Sequence, residues 1–296
     1  MGWSSADIPD QKGKTFVVTG SNTGIGFATL SALTTKRARV IIACRNPDKG
    51  DAALAAIKAR QADANVTVAQ LDLSSLASVR TFAERMMAEL PRLDVLINNA
   101  GVMMTPFGRT ADGFETQFGT NVLGHFALTG HLLPLLMASP NARVVTLSSL
   151  IHWIGGIDFA NLGAEKRYRK IAAYSQSKLG NLLFAYELQR RLAKSGATTV
   201  SIGAHPGITR SELARHDKFM NLMVPFIAQK TEDGALPSLM AATAPEVRGG
   251  DCVGPGGFLA LRGAPNIQKT SARSQNQALA AQFWDVAQRL TGVSYL

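Results

Sequence analysis

Apolar positions along the chain fall into two recurring patterns. Short β-branched runs at 16–19, 40–43, 66–69, 95–97, 144–147, 200–204 and 257–260 predict seven strands. Longer stretches of mixed polarity at 25–36, 48–62, 75–90, 112–138, 170–195, 232–243 and 275–290 predict helices between and after them. Strands this apolar, separated by helices, predict a parallel sheet covered on both faces, because each crossover must return the chain to the same end. The expected fold is α/β, a doubly wound, mostly parallel seven-stranded sheet with helices on both faces. No Pro/Gly/Ser linker or internal repeat divides the chain, so a single domain is expected over 1–296, with 208–230 its least regular segment.

Composition narrows the function classes. With 296 residues and 46% apolar content the chain has enough material for a sizeable core. No uncharged apolar run approaches the roughly 18 residues of a membrane span, and the N-terminus lacks a cationic region followed by an apolar core, so no secretory signal or stable membrane anchor is expected. Two cysteines, Cys44 and Cys252, make no disulfide framework or metal-ligand pattern, which points to a reducing cytoplasm and to no metal. The formal charge of +10 attracts anions in general. The densest basic cluster, Lys166 to Lys170, is short and reads as a solvated loop, so nucleic acid is not an expected partner.

Candidate chemistry begins after the first strand, at Thr19-Gly20-Ser21-Asn22-Thr23-Gly24-Ile25-Gly26. Gly20 suits a tight turn of positive φ, Gly24 lets backbone approach a pyrophosphate, and Gly26 lets the following helix pack closely on the strand. The helix N-terminus then offers unpaired N–H groups to an anion. The second strand ends at Ala43-Cys44-Arg45-Asn46, where dinucleotide-binding folds read the adenosine ribose. An acidic side chain there favours NAD; Arg45 instead offers a planar cation suited to a 2′-phosphate, so NADP(H) is the expected cofactor. Asp72, after the third strand, either contacts the cofactor or caps the next helix near Ser75.

Tyr174 and Lys178 stand four residues apart at the start of a predicted helix and so share one face. A free phenol, with a pKa near about 10, is a poor base at neutral pH, and an adjacent ammonium is expected to favour its phenolate. Tyr174 would then exchange a proton with a substrate oxygen. Ser148 and Ser149 end strand five, where a hydroxyl can hydrogen-bond that oxygen. His205, ahead of a Pro-Gly turn, reads as a structural side chain.

The pattern T-G-x-x-x-G-x-G resembles the short-chain dehydrogenase/reductase family, whose Rossmann fold the element order also matches. Asn98-Asn99-Ala100-Gly101 matches that family's N-N-A-G turn, and Leu71-Asp72-Leu73 its adenine-contacting segment. The resemblance implies cofactor contacts from Gly20, Ser21, Asn22, Gly24, Ile25, Gly26, Asp72, Leu73, Asn98 and Ala100. It also makes Ser149, rather than Ser148, the substrate-orienting serine, has Lys178 hold the nicotinamide ribose beside Tyr174, and makes Asn121 the member that completes a proton relay through a water near the lysine. The segment Pro206-Gly207-Ile208-Thr209-Arg210-Ser211 resembles the family's P-G stretch framing the nicotinamide, with Pro206, Gly207, Ile208 and Ser211 as contacts. The segment 150–173 is longer than is usual and, with the A-C-R-N strand end, resembles the retinol-dehydrogenase-like branch; Arg37-Ala38 departs from the family's Gly-Ala before strand two.

The expected activity is NADP(H)-dependent hydride transfer to the carbonyl, or from the alcohol, of an apolar or aromatic small molecule. Ile151, Trp153 and Ile154 are candidates to wall the pocket, and Leu213, Phe219, Met220, Met223 and Phe226 to form a lid. A non-catalytic NADP(H)-binding scaffold and a C=C reductase like the related protochlorophyllide reductases are the competing readings. The resemblance further implies a homodimer paired through the helices at 112–138 and 170–195.

Overall fold

The computed structural model describes residues 2–209 and 228–296; Ser211 and the lid residues between 213 and 226 lie outside the described residues. An 8-stranded sheet runs in the order β3-β2-β1-β4-β5-β6-β7-β8. Its strands are β1 Thr15–Thr19, β2 Arg39–Cys44, β3 Val66–Gln70, β4 Val95–Asn98, β5 Arg143–Leu147, β6 Val200–Ala204, β7 Cys252–Pro255 and β8 Pro265–Ile267. All neighbours pair in parallel except β7 and β8, which are antiparallel. The chain winds outward from β1 to β3 and then crosses to β4. The C-terminal ends of β1 and β4 therefore flank the crevice where open α/β sheets bind their ligands.

Side-chain alternation along the strands divides the core in two. Val17, Ile41, Leu96 and Val144 face one side, where they meet α3 Leu76–Glu89, α5 Gly124–Met137, α6 Lys170–Lys194 and α8 Gln277–Thr291. Phe16, Val18, Ile42 and Ile97 face the other, against α1 Gly24–Thr35, α2 Pro47–Arg60 and α7 Thr231–Thr243. α8 packs against α5 and α6, the helices through which pairing of two copies was expected, by Phe126–Trp284 and Phe184–Trp284 ring contacts. Among the described residues no helix is long and apolar enough to cross a membrane.

Two predicted elements need correction. The seventh strand is not at 257–260: Phe258–Ala260 is a 3-10 turn with Leu259 and Ala260 at φ 51° and 56°, and Phe258 is 78% exposed. Strand position beside β6 requires burial on both faces, which Cys252 and Val253 meet and the equally apolar 258–259 pair does not. The predicted sheet also lacked β8, whose three residues form a short edge return led by a proline. The predicted helix at 112–138 begins later, at α4 Thr116–Phe118, where the Glu115 carboxylate accepts from the amides of Gln117 and Phe118 at 2.9 and 2.7 Å. It then passes through a π-helical stretch, Gly119–Leu123, before α5. Arg37, standing where the family carries glycine, adopts φ 65°. The left-handed turn survives without the residue that favours it.

Candidate active site

The turn after β1 has the geometry of a phosphate cradle. Gly20 and Gly24 lie at φ 66° and 58°, the left-handed region that glycine enters without a Cβ clash. Thr23, the N-cap of α1, makes no side-chain bond to the helix, so the first amides of α1 stay available to an anion. The Ser21 hydroxyl is turned inward and donates to Val18 O at 2.8 Å. Ile25 is buried in the core behind the turn, while Asn22 is half-buried at its surface.

Gly26 holds the closest approach. A Cβ there would lie 2.5 Å from Gly20 O, 2.6 Å from Asn99 Nδ2 and 2.8 Å from the Ser21 Cα. Backbone rather than a flexible side chain would have to yield. Gly26→Ala is therefore expected to cost about 1–3 kcal/mol of turn geometry, which weakens binding of a dinucleotide at this turn roughly tenfold to a hundredfold. A fluorescence titration with unchanged affinity would remove this glycine from the cradle.

Arg45 is exposed at the end of β2, and Asn46 beside it caps α2 by accepting from Lys49 N at 3.1 Å. Ser75 itself caps α3; the Asp72 carboxylate instead accepts from Ser74 N and Oγ at 2.9 and 2.6 Å. Leu73 is buried against Gly124, so it can offer a ligand only backbone. Asn98 is likewise buried, donating to Thr129 and Thr146 hydroxyls at 3.1 and 3.4 Å, which makes its side chain a stitch inside the sheet. Asn99, half-buried, donates from its carboxamide to Thr19 O at 2.6 Å, and Ala100 follows at the crevice edge.

Tyr174, Lys178, Ser149 and Asn121 converge at the foot of the crevice. Tyr174 and Lys178 lie one turn apart on α6, with Lys178 Nζ 5.8 Å from the phenol ring centroid. The Ser149 hydroxyl lies near enough to the Tyr174 phenol to pull its pKa down, and Ser148 is turned away, donating to Lys178 O at 2.7 Å. The Asn121 carboxamide is fully used: Oδ1 accepts from Val102 N at 2.8 Å, and Nδ2 donates to Val102 O and Ser177 Oγ at 2.9 and 3.0 Å. A Cβ on Gly101 would stand 3.2 Å from Asn121 Oδ1 and 3.6 Å from Lys178 Nζ, so this glycine keeps the space between them open.

The expected depression of the phenol pKa by Lys178 is not what the site shows. Burial drives Tyr174 up to about 12, and the Ser149 hydroxyl offsets only part of that. Burial also drives the Lys178 ammonium down to about 8, and it donates to Leu147 O at 3.1 Å rather than to the phenol. Desolvation outweighs the pair's attraction because both groups lie deep while the ammonium faces a carbonyl.

After β6, Gly207 lies at φ 66° and a Cβ there would meet Leu261 O at 2.4 Å. The Ile208 amide donates to the same Leu261 carbonyl at 2.9 Å, and Pro206 O accepts from Gln229 Nε2 at 2.8 Å. A nicotinamide carboxamide using Ile208 N would have to displace that bond. His205 is buried and held neutral, its pKa pushed down to about 4 by desolvation and the nearby His152.

Sequence reasoning missed the braces behind these groups. Gln117 accepts from Met104 N at 2.7 Å and donates to Tyr168 Oη and Lys170 O at 2.9 and 3.0 Å, joining the loop after β4 to the start of α6. His152 lies on Ser149 O through Nδ1 at 2.8 Å and accepts from Ser271 N through Nε2 at 3.2 Å. Arg273 donates to Gly155 O at 2.8 Å. Partners so distant in sequence leave no spacing signal. Of the residues expected to wall the pocket, Trp153 and Ile154 are 52% and 69% exposed, and Ile154 lines a cavity of about 290 Å³ with Ile157, Leu162, Tyr168 and Gln176.

Residues 14–220 match the family model described as short chain dehydrogenase. Human retinol dehydrogenase 12 is 44% identical over 291 residues, covering 96% of this chain and 88% of that protein. A crystal structure of a Mycobacterium paratuberculosis protein superposes with TM-score 0.85 at 40% identity, covering 100% of both chains. The Pseudomonas aeruginosa RhlG/NADP active-site complex superposes with TM-score 0.64 at 25% identity, covering 81% of this chain and 94% of that one. Alike to these relatives over nearly its whole length, the protein belongs to the short-chain dehydrogenase family, in its retinol-dehydrogenase-like branch.

Proposed function

We propose that this oxidoreductase uses NADP(H) to reduce the carbonyl, or oxidise the alcohol, of an apolar or aromatic small molecule, with Tyr174 as acid/base. The observation that carries the reading is the buried Tyr174 phenol one helical turn from Lys178, with the glycine cradle following β1 of the same sheet. The cradle fits a dinucleotide: uncapped helix amides face the turn and Gly26 leaves no room for a side chain. When bound there, the nicotinamide supplies or accepts the hydride.

The protein's own groups handle the proton and the orientation. A phenol raised to about 12 by burial is protonated at neutral pH, which suits Tyr174 to donate to the oxygen of a carbonyl under reduction. Ser149 Oγ orients that oxygen and shares its developing charge. Lys178, near 8, is still largely cationic at neutral pH and lies close enough to favour the phenolate that donation leaves behind. Because the Asn121 carboxamide is committed to Val102 and Ser177, its main-chain carbonyl is the group left for the proton relay.

Relatives named for retinol make retinal the first carbonyl to offer. Oxidation of NADPH, with NADH alongside, is to be followed over retinoid, aliphatic, aromatic and steroid carbonyls. Equal turnover of small polar and bulky apolar ketones would count against an apolar pocket, and tight NADPH binding with no turnover would favour a scaffold. The preference for the phosphorylated cofactor rests on Arg45. Arg45→Ala is expected to raise the NADPH dissociation constant about tenfold, the worth of a charge-assisted hydrogen bond at an exposed site, and to leave NADH nearly unchanged. An equal effect on both cofactors would refute the assignment.

A further inference from the structure

A chain of buried hydrogen bonds links the cofactor turn to the proton-handling side of the site. It runs through His125 in α5, a residue 0% exposed. The ring Nδ1 lies 2.9 Å from the main-chain oxygen of Asn121, within the π-helical stretch, and Nε2 lies 2.9 Å from Thr19 Oγ1 at the end of β1. Thr19 Oγ1 in turn accepts from the amides of Asn99 and Ala100, each at 2.9 Å.

The directions of these bonds follow from the partners. A carbonyl can only accept, so Nδ1 carries the proton. Burial keeps the imidazole neutral, with its pKa pushed down to about 4, so Nε2 presents a lone pair. Thr19 therefore gives its single hydroxyl proton to Nε2 rather than to Ile97 O, which is farther at 3.4 Å. The lone pairs of that hydroxyl remain for the two amides. Every donor in the chain meets an acceptor in its proper sense, which fixes one arrangement and no other.

We propose that His125 is a positioning residue that ties the β1 and β4 ends of the cofactor crevice to the Asn121 carbonyl, so that cofactor seating and proton handling share one rigid strut. The inference rests on the roles given above to the cradle and to Asn121. His125 itself lies outside the crevice and touches neither ligand. Its two ring nitrogens serve the two ends separately: Nε2 holds Thr19, and through it Asn99 and Ala100, whereas Nδ1 holds the Asn121 carbonyl.

Two near-isosteres separate these ends. An asparagine amide reaches the position of Nδ1 and keeps the bond to Asn121 O; a glutamine amide reaches that of Nε2 and keeps the bond to Thr19. His125→Asn is expected to weaken NADPH binding about tenfold by fluorescence titration, with kcat within about threefold. His125→Gln is expected to do the reverse, lowering kcat about tenfold with NADPH affinity within about threefold. Assays use the full chain, NADPH and a carbonyl that the parent turns over.

A role in packing alone would lower the melting temperature of both variants and leave the opposite split absent. Both constants within about threefold of the parent in both variants, or both falling by one factor, would overturn the proposal. If the parent turns over no carbonyl, the catalytic reading fails while the NADPH arm still decides the Thr19 end. Should neither variant fold, Thr19→Val cuts the chain at its outer end and is expected to raise the NADPH dissociation constant about tenfold; no change there would equally refute it.

Discussion

Replacing Tyr174 with phenylalanine is expected to lower NADPH-dependent carbonyl turnover about a thousandfold, the mid-range loss for removing a positioned general acid. The ring is buried at 7% exposure among the residues of α6 and its neighbours, so phenylalanine keeps the packing and removes only the hydroxyl. NADPH affinity should change by no more than about tenfold, the worth of one hydrogen bond to the cofactor. The phenol's environment explains why nothing nearby substitutes for it. Burial holds its proton in place, and Lys178 faces Leu147 O. Turnover of the variant within about tenfold of the parent, with cofactor bound, would place the acid elsewhere.

The placement of Tyr174 beside Lys178 was legible in the sequence, but its electrostatics were not. The four-residue spacing put Tyr174 and Lys178 on one helical face, and α6 bears this out; the sign of the phenol's shift depends on burial, which spacing does not encode. The cradle was read correctly as a strand–turn–helix because each glycine has a local reason that shows in the chain: φ at Gly20 and Gly24, close approach at Gly26. Strands β1, β2, β4 and β5 were legible because burial on both faces favours near-continuous apolar runs, whereas the edge strand β3 showed itself by alternating buried Val66 and Ala69 with exposed Thr67 and Gln70. β7 was not, since Cys252-Val253-Gly254-Pro255 ends in turn residues and the equally apolar Phe258-Leu259 beside it drew the assignment. The struts behind the site were invisible. His152 meets Ser271, and His125 meets Thr19, across separations that only the folded sheet closes.

Trp284→Ala, far from the chemistry, is expected to cost about 3–5 kcal/mol of stability. The side chain is 0% exposed and stands between two elements of the site. Its ring meets Phe126 of α5 at 5.0 Å, stacks on Phe184 of α6 at 6.0 Å and 24°, and meets Tyr295 at 4.9 Å, with the Arg191 guanidinium 4.5 Å from its centroid. Alanine leaves a cavity that these aromatic neighbours cannot collapse to fill. Trp284→Phe separates volume from polarity. The indole Nε1 has no partner among the described residues, so phenylalanine gives up no hydrogen bond and should cost about half as much as alanine or less. Denaturant unfolding measures both. At low temperature, where even the alanine variant is folded, kcat and NADPH affinity should stay near parental values, because the Trp284 ring packs on Phe126, Phe184, Tyr295 and Arg191, none of which belongs to the cradle or handles the proton. A large loss of kcat in a folded Trp284→Ala protein would mean that α8 sets the geometry of Asn121 and Tyr174 as well as their stability.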